Sequence, residues 1–261
     1  MKLEYKTDNN GKGLFSTDGA HQVMMEWEKG YMEESINTMR PHGAVLEIGF
    51  GMGYSATKIQ EFDISSHTII ECNPIVLEKL KKFQEDHPNV IVVPGRWQDV
   101  LQTLGKFDCI FFDDYLIEDT TIDRFSSFLH EILISHSIPG TKIGLYSNID
   151  CLKYSNISCL NIDTSIFKVN IPSECNYTKG DKLYIPIITV LEGNYFNELL
   201  AFKQKIKDYS STLNTIEKKE IVDNINVLIQ AAITGQANGS YKLEEAHGIM
   251  TSVNVLRKKF S

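Results

Sequence analysis

Long apolar runs are missing from this chain: no stretch of about 18 hydrophobic residues occurs, so no membrane-spanning helix is expected. The first residues, MKLEYKTDNNGKGLF, are polar from the third position on and hold no apolar signal core, so no secretory signal is expected. Paired cysteines are also missing. Cys72, Cys109, Cys151, Cys159 and Cys175 are odd in number, scattered, and form no C-x-x-C pair, which argues against a zinc site and a disulfide framework. A reducing, cytoplasmic compartment is the expectation. Positive charge is short: 26 Lys and Arg stand against 34 Asp and Glu, a net charge of -8, so no nucleic-acid partner is expected. The seven histidines show no metal-ligand spacing, and no repeat or low-complexity tract is found. What remains is an ordinary globular composition, 42% hydrophobic and 23% charged, over a length that can bury a sizeable core.

Short apolar runs alternate with amphipathic stretches from residue 44 to about 190. The runs are 44–49, 67–71, 90–93, 107–113, 141–147 and 182–191, rich in β-branched and aromatic residues. Residues 74–87 (Val76, Leu77, Leu80, Phe83) and 122–137 (Phe125, Phe128, Leu129, Ile132, Leu133) have helical spacing. This alternation predicts an α/β fold, a largely parallel sheet with helices on both faces. Residues 20–39 read as a helix, with Val23, Trp27, Tyr31 and Met32 near one face, short enough to pack over the mouth of the sheet. Residues 194–261 change character. Stripes such as Phe196, Leu199, Phe202, Ile206 and Tyr209, and the pair Asn214 with Glu217, predict about three helices. The division expected is a domain over 1–193 and a helical extension over 194–261. Charge follows it: residues 196–261 carry about +2, and the first 195 about -10.

The sharpest local signal is Val45-Leu46-Glu47-Ile48-Gly49-Phe50-Gly51-Met52-Gly53, a strand running into a glycine-rich turn and then a helix. In a doubly wound sheet such a turn lies at the carboxyl edge, where ligands bind. About twenty residues on, the second strand ends in Glu71, a carboxylate suited to both hydroxyls of a ribose. A dinucleotide prefers G-x-G-x-x-G, whereas Ala56 stands at the third glycine here; E-x-G-x-G suits S-adenosylmethionine, which carries no phosphate. Glu47 either reaches a donor's amino group or serves a structural hydrogen bond. Asp113 closes a central strand, where active-site residues collect, and its neighbour Asp114 competes for the same role. Glu28, read by itself, is a solvated charge on a helix face, and Trp27 and Trp97 read as packing residues.

Five blocks in order resemble the guanidinoacetate N-methyltransferase family. They are VMMEWE with Tyr31-Met32 (23–32), VLEIGFGMGYSATKIQE (45–61), IIECN (69–73), GRWQDV (95–100) and FDCIFFDDY (107–115). Tyr146-Ser147-Asn148-Ile149 and Tyr184-Ile185-Pro186 extend the likeness, which covers about residues 20–192. The resemblance implies a Rossmann-like class I methyltransferase fold with a seven-stranded sheet whose last strand is antiparallel, and S-adenosyl-L-methionine as donor. By position it implies that Gly49, Phe50, Gly51, Met52, Gly53, Tyr54 and Ser55 line the donor's methionine part. Glu71 would hold the ribose, with Cys72 and Asn73 beside the adenosine. Gly95, Arg96 and Trp97 would flank the adenine, and Met24 and Met32 would close over the donor. Glu28 and Asp113 would grip the guanidine, with Tyr115, Asn148 and Asp150 also on the substrate. Two carboxylates suit a planar guanidinium with paired N–H donors; they orient one nitrogen at the methyl, and one takes the proton.

The chain departs from that family in three places. Its N-terminal segment does not match. Asp150 replaces a small hydroxyl residue near the substrate carboxylate, which disfavours guanidinoacetate and favours arginine, agmatine or an arginine-like cation. The helical extension 194–261 is additional; it packs on the core, forms a homodimer interface, or recognises a larger acceptor. The sequence therefore predicts methyl transfer to a guanidino nitrogen of a small compound, without a metal, the alternative being a peptide or natural-product acceptor recognised through the C-terminal helices.

Overall fold

The computed structural model describes residues 2–8, 11–114, 124–155, 157 and 159–193. The helices expected over 194–261, and the homodimer interface assigned to them, lie outside the described residues. Along the chain run β1 (Leu3–Asp8), β2 (Gly11–Ser16), β3 (Gln22–Met25), a 3-10 turn (Glu26–Glu28), α1 (Lys29–Met39), β4 (Gly43–Ile48), α2 (Tyr54–Ile59), β5 (Ile64–Glu71), α3 (Pro74–Asp86), β6 (Val90–Pro94), α4 (Trp97–Val100), β7 (Cys109–Phe112), α5 (Arg124–Ser135), β8 (Lys142–Leu145), β9 (Leu160–Lys168) and β10 (Lys182–Val190).

Seven strands form one sheet in the order β6-β5-β4-β7-β8-β10-β9. The pairs β4/β5, β5/β6, β4/β7 and β7/β8 are parallel, and β10 is antiparallel to β8. This is the Rossmann-like class I methyltransferase fold expected from the sequence, a mostly parallel seven-stranded sheet with an antiparallel last strand. The central strands read as continuous apolar runs because both faces are covered: Val45, Cys109 and Phe111 are buried on one face, Leu46, Ile110 and Ile143 on the other. The first face packs Tyr31, Met32, Ile36 and Met39 of α1 and Ile59 of α2 against Val45, Cys109 and Phe111. α3 adds Val76 and Leu80 against Ile69 and Val90. Pro74 stands at its first turn, and the Asn73 side chain accepts from the Ile75 N–H at 3.0 Å, so α3 begins with both of its usual start signals.

Two elements differ from the sequence expectation. The helical spacing over 20–39 is realised only from Lys29; Gln22–Met25 is a strand, and the supposed lid is a strand, a turn and a helix. That strand belongs to a second, three-stranded antiparallel sheet, β1-β2-β3, whose first two strands come from the N-terminal segment that does not match the family. Leu3 and Leu14 anchor it in the cluster around Phe50, Ala56 and Val76. β9 is the other unexpected strand. It sits at the sheet edge, and much of its length is exposed, so it carries no apolar run.

The described residues fall into two compact units: those of Met1–Thr121, Gly140–Asp150 and Asp163–Thr189, and those of Ile122–Pro139, Cys151–Ile162 and Val190–Ser261. Within the second, Phe125 meets Tyr154 edge-on at 5.4 Å. Every site residue described below belongs to the first. Among the described residues no helix is long and apolar enough to cross a membrane.

Candidate functional site

The strand order reverses at β4, so the carboxyl ends of β4, β5, β6 and β7 open onto one edge of the sheet, the usual place for a ligand. β4 turns there at Gly49. Its φ is +83°, and a β-carbon would strike the carbonyl oxygen of Asp113 at the end of β7. The two strand ends can approach only because residue 49 has no side chain. The turn is held from outside. Tyr5 of β1 donates to the Gly51 carbonyl at 2.8 Å, and Lys79 of α3 donates to the Met52 carbonyl at 2.6 Å. The Met52 N–H rests on the Met24 sulfur at 3.2 Å. The polar N-terminal segment thus braces the glycine turn.

Glu71 ends β5 almost fully buried. Its Oε2 accepts from the Phe50 N–H at 3.0 Å, and its Oε1 from the N–H groups of Cys72 and Asn73 at 2.8 and 2.7 Å. Burial pushes this carboxyl up, and the three backbone donors pull it back only in part. A carboxylate has about four acceptor positions, so Oε2 keeps one for a further donor such as a sugar hydroxyl. Trp97 is buried on the next strand end and donates from Nε1 to Asp114 Oδ2 at 2.6 Å. Gly95 donates its N–H to the Glu71 carbonyl at 2.9 Å, while Arg96 and Cys72 face solvent. Gly49, Gly51, Gly53, Glu71 and the Gly95–Trp97 turn therefore share one edge. Other residues expected on the donor have structural partners. Phe50 is core, Asn73 caps α3, and the Ser55 hydroxyl donates to Glu47.

Glu47 is completely buried on β4. Besides Ser55 it meets His67 of β5, whose Nε2 lies 2.9 Å from Glu47 Oε2. Gln60 Nε2 lies 3.1 Å from His67 Nδ1. Of the two roles open for Glu47, the structure shows the structural hydrogen bond.

The second half of the site gathers around Glu28, in the turn before α1. This residue is not the solvated surface charge that a helical wheel gives; it is 2% exposed. Its Oε1 accepts from the Met25 N–H at 2.7 Å and from the Tyr177 hydroxyl. Burial pushes its carboxyl up to about 7, and the two donors oppose that rise. Asp113 follows β7 and lies, with Glu28, in a single electrostatic neighbourhood. Burial pushes the Asp113 carboxyl well above the carboxylate range, and Glu28 is the charge that adds most, ahead of Glu47, Asp114 and Glu71. Tyr54, at the start of α2, is pushed up to about 12 by burial and by Glu26 and Glu28.

Three residues that sequence reasoning left unassigned complete this half. Tyr177 comes from the loop between β9 and β10 and stacks on Trp27, ring centroids 6.2 Å apart. That loop is tied down where Asn176 bonds to Gln22 Oε1 (3.0 Å) and to the Ala20 carbonyl (3.1 Å). Tyr31 of α1 donates to the Tyr184 carbonyl at 2.6 Å and accepts from the Ser147 N–H at 3.0 Å, joining α1 to the ends of β8 and β10. Tyr146 meets Tyr31 edge-on at 5.3 Å. No sequence spacing marks Tyr177, which lies 149 residues from its partner. Of the remaining candidates, Met24 touches the glycine turn, and Met32 is fully buried core beside Tyr31. Asn148 and Asp150 are exposed after β8, and Tyr115 lies outside the described residues.

The model of the family described as guanidinoacetate N-methyltransferase matches residues 16–149. The protein arginine N-methyltransferase 2 of Candida glabrata is 31% identical over 219 residues, covering 78% of this chain and 51% of that protein. Its counterpart in Saccharomyces cerevisiae is 31% identical, covering 75% and 49%. The chain thus spans about half the length of these relatives. Among solved structures, spermidine synthase from Thermotoga maritima superposes with a TM-score of 0.52 at 16% identity, over 75% of this chain and 71% of that one. This likeness concerns the fold alone.

Proposed function

The chain belongs to the guanidinoacetate N-methyltransferase family, and from that membership we propose that it moves a methyl group from S-adenosyl-L-methionine to a guanidino nitrogen of arginine. The observation that carries the reading is the electrostatic influence of buried Glu28 on half-buried Asp113, two carboxylates from distant parts of the chain, the second of them at the glycine turn. Similarity to proteins named arginine N-methyltransferases supports arginine as the acceptor. The family name favours a small guanidino compound as the second reading.

The donor supplies an electrophilic methyl carbon on a sulfonium. The residues present suit it: Glu71 Oε2 keeps an acceptor position for a ribose hydroxyl, and Trp97 and Gly95 stand at the next strand end for the base. The chain's own work lies with the acceptor. Asp113 and Glu28 hold the flat cation and fix one nitrogen toward the methyl. A guanidinium placed there restores the ionised form of both acids, because an opposite charge at contact distance favours it. As the new N–C bond forms, the methyl–sulfur bond of the donor breaks with its electron pair going to sulfur, S-adenosylhomocysteine leaves, and the nitrogen loses a proton to one of the two carboxylates. The burial of Glu28 keeps water from competing for that position.

The experiment is transfer of labelled methyl to L-arginine, guanidinoacetate and an arginine-containing peptide. Transfer to at least one, lost by 100-fold or so in Asp113→Asn while S-adenosylhomocysteine still binds, is the expected result. Transfer unchanged in Asp113→Asn overturns it.

A further inference from the structure

Tyr146 is the residue whose chemistry is left unexplained. Its hydroxyl is buried, and among the described residues it has no hydrogen-bond partner. The neighbouring phenols are engaged, Tyr31 with Tyr184 and Ser147, and Tyr177 with Glu28. A buried hydroxyl left without a partner is unfavourable because it has lost its water, so such a group points to a partner that arrives with a ligand.

Its position identifies the ligand. β7 and β8 are parallel with Phe112 opposite Leu145, and the Tyr146 N–H donates to the Phe112 carbonyl at 3.1 Å. Asp113 and Tyr146 are therefore the next pair in register, on neighbouring strands and on the same face, which is the face that α1 covers. The Tyr146 ring is fixed edge-on against Tyr31 in that helix. The charged and titratable groups around its oxygen are Glu28, Tyr31, Asp113, Cys175 and Tyr177, a set of acids, phenols and a thiol that calls for a cation with several N–H groups.

A singly substituted guanidinium presents five donors. Glu28 Oε1 is already taken twice, by Met25 and Tyr177, so Glu28 offers chiefly Oε2. Asp113 offers two oxygens. With one planar contact per oxygen, three donors are matched and N–H groups remain. We propose that the Tyr146 hydroxyl oxygen accepts one of them and is the third substrate-binding group of the site, selecting a guanidinium over an ammonium. This rests on the guanidino reading given above.

The experiment compares Tyr146→Phe with the parent chain, using the arginine-containing peptide and L-arginine as acceptors. The ring and its contact with Tyr31 are kept. The expected result is an acceptor KM raised about tenfold, with the S-adenosylhomocysteine Kd within twofold of the parent. An unchanged acceptor KM, with the parent chain active, overturns the Tyr146 assignment and leaves the function standing. A parent chain that binds S-adenosylhomocysteine but methylates none of the guanidino acceptors overturns both. Should the variant fail to fold, 3-fluorotyrosine placed at position 146 gives a second readout. Its fluorine resonance is expected to move when the peptide is added to the S-adenosylhomocysteine complex, and a resonance that stays put at saturating peptide overturns the assignment.

Discussion

The carbonyl oxygen of Asp113 occupies the space that a β-carbon on Gly49 would need. One missing side chain thus brings the turn after β4 and the acid after β7 together, joining the two halves of the site. Gly49→Ala is expected to force them apart, and the left-handed φ of +83° adds about 1–2 kcal/mol of backbone strain. The affinity for S-adenosylhomocysteine, measured by titration calorimetry, is expected to fall at least tenfold. Unaltered affinity would show that the approach is incidental.

Glu28 is raised from 4.5 in the unfolded chain to about 7 in the folded one, chiefly by burial. A carboxyl raised in this way contributes stability below pH 4.5 and loses it as pH climbs through 7. The penalty at pH 8 is about 3 kcal/mol. Glu28→Gln removes the titration, so the ligand-free variant is expected to melt above the parent at pH 8 and close to it at pH 4.5. Methyl transfer to arginine is expected to fall by 100-fold or so. Equal differences in Tm at both pH values would refute the assignment.

Tyr177 donates to the ionised form of Glu28 and so opposes its rise. Without that hydroxyl the Glu28 carboxyl moves further up. In Tyr177→Phe the acid limb of the pH profile of kcat/KM for the acceptor is expected to shift to higher pH, with little change at the alkaline end. A uniform loss at every pH would mean that Tyr177 only packs against Trp27.

The N-terminal sheet acts on donor binding through the bond from Tyr5 to the Gly51 carbonyl. One neutral hydrogen bond contributes about 1 kcal/mol, close to fivefold in an equilibrium. Tyr5→Phe is expected to weaken S-adenosylhomocysteine binding three- to fivefold and to leave the acceptor KM alone. The reverse pattern would place the sheet at the acceptor instead.

The sheet was readable from the chain because its central strands are buried on both faces and so are written as apolar runs: the run 44–49 is β4 within a residue, and 90–93 is β6. The glycine turn and Glu71 were readable because their spacing is local. β1, β2 and β9 were not, since their few apolar residues acquire meaning only through partners far along the chain, as Leu14 does against Phe50 and Val76. Glu28 illustrates the same limit. A helical projection places it outside, but the chain there is a strand and a tight turn, which swing it inward against Met25 and Tyr177. The partner comes from a loop with no motif of its own.

Tyr31 hangs three segments on one phenol oxygen: the helix that follows Glu28, the end of β8 and the end of β10. Acceptor preference is therefore not a portable cassette. A chimera that imported residues 26–31 from a relative with a different acceptor would arrive without the matching Ser147 N–H and Tyr184 carbonyl, and the graft would cost order before it changed choice. Redesign has to exchange those three stretches as one block.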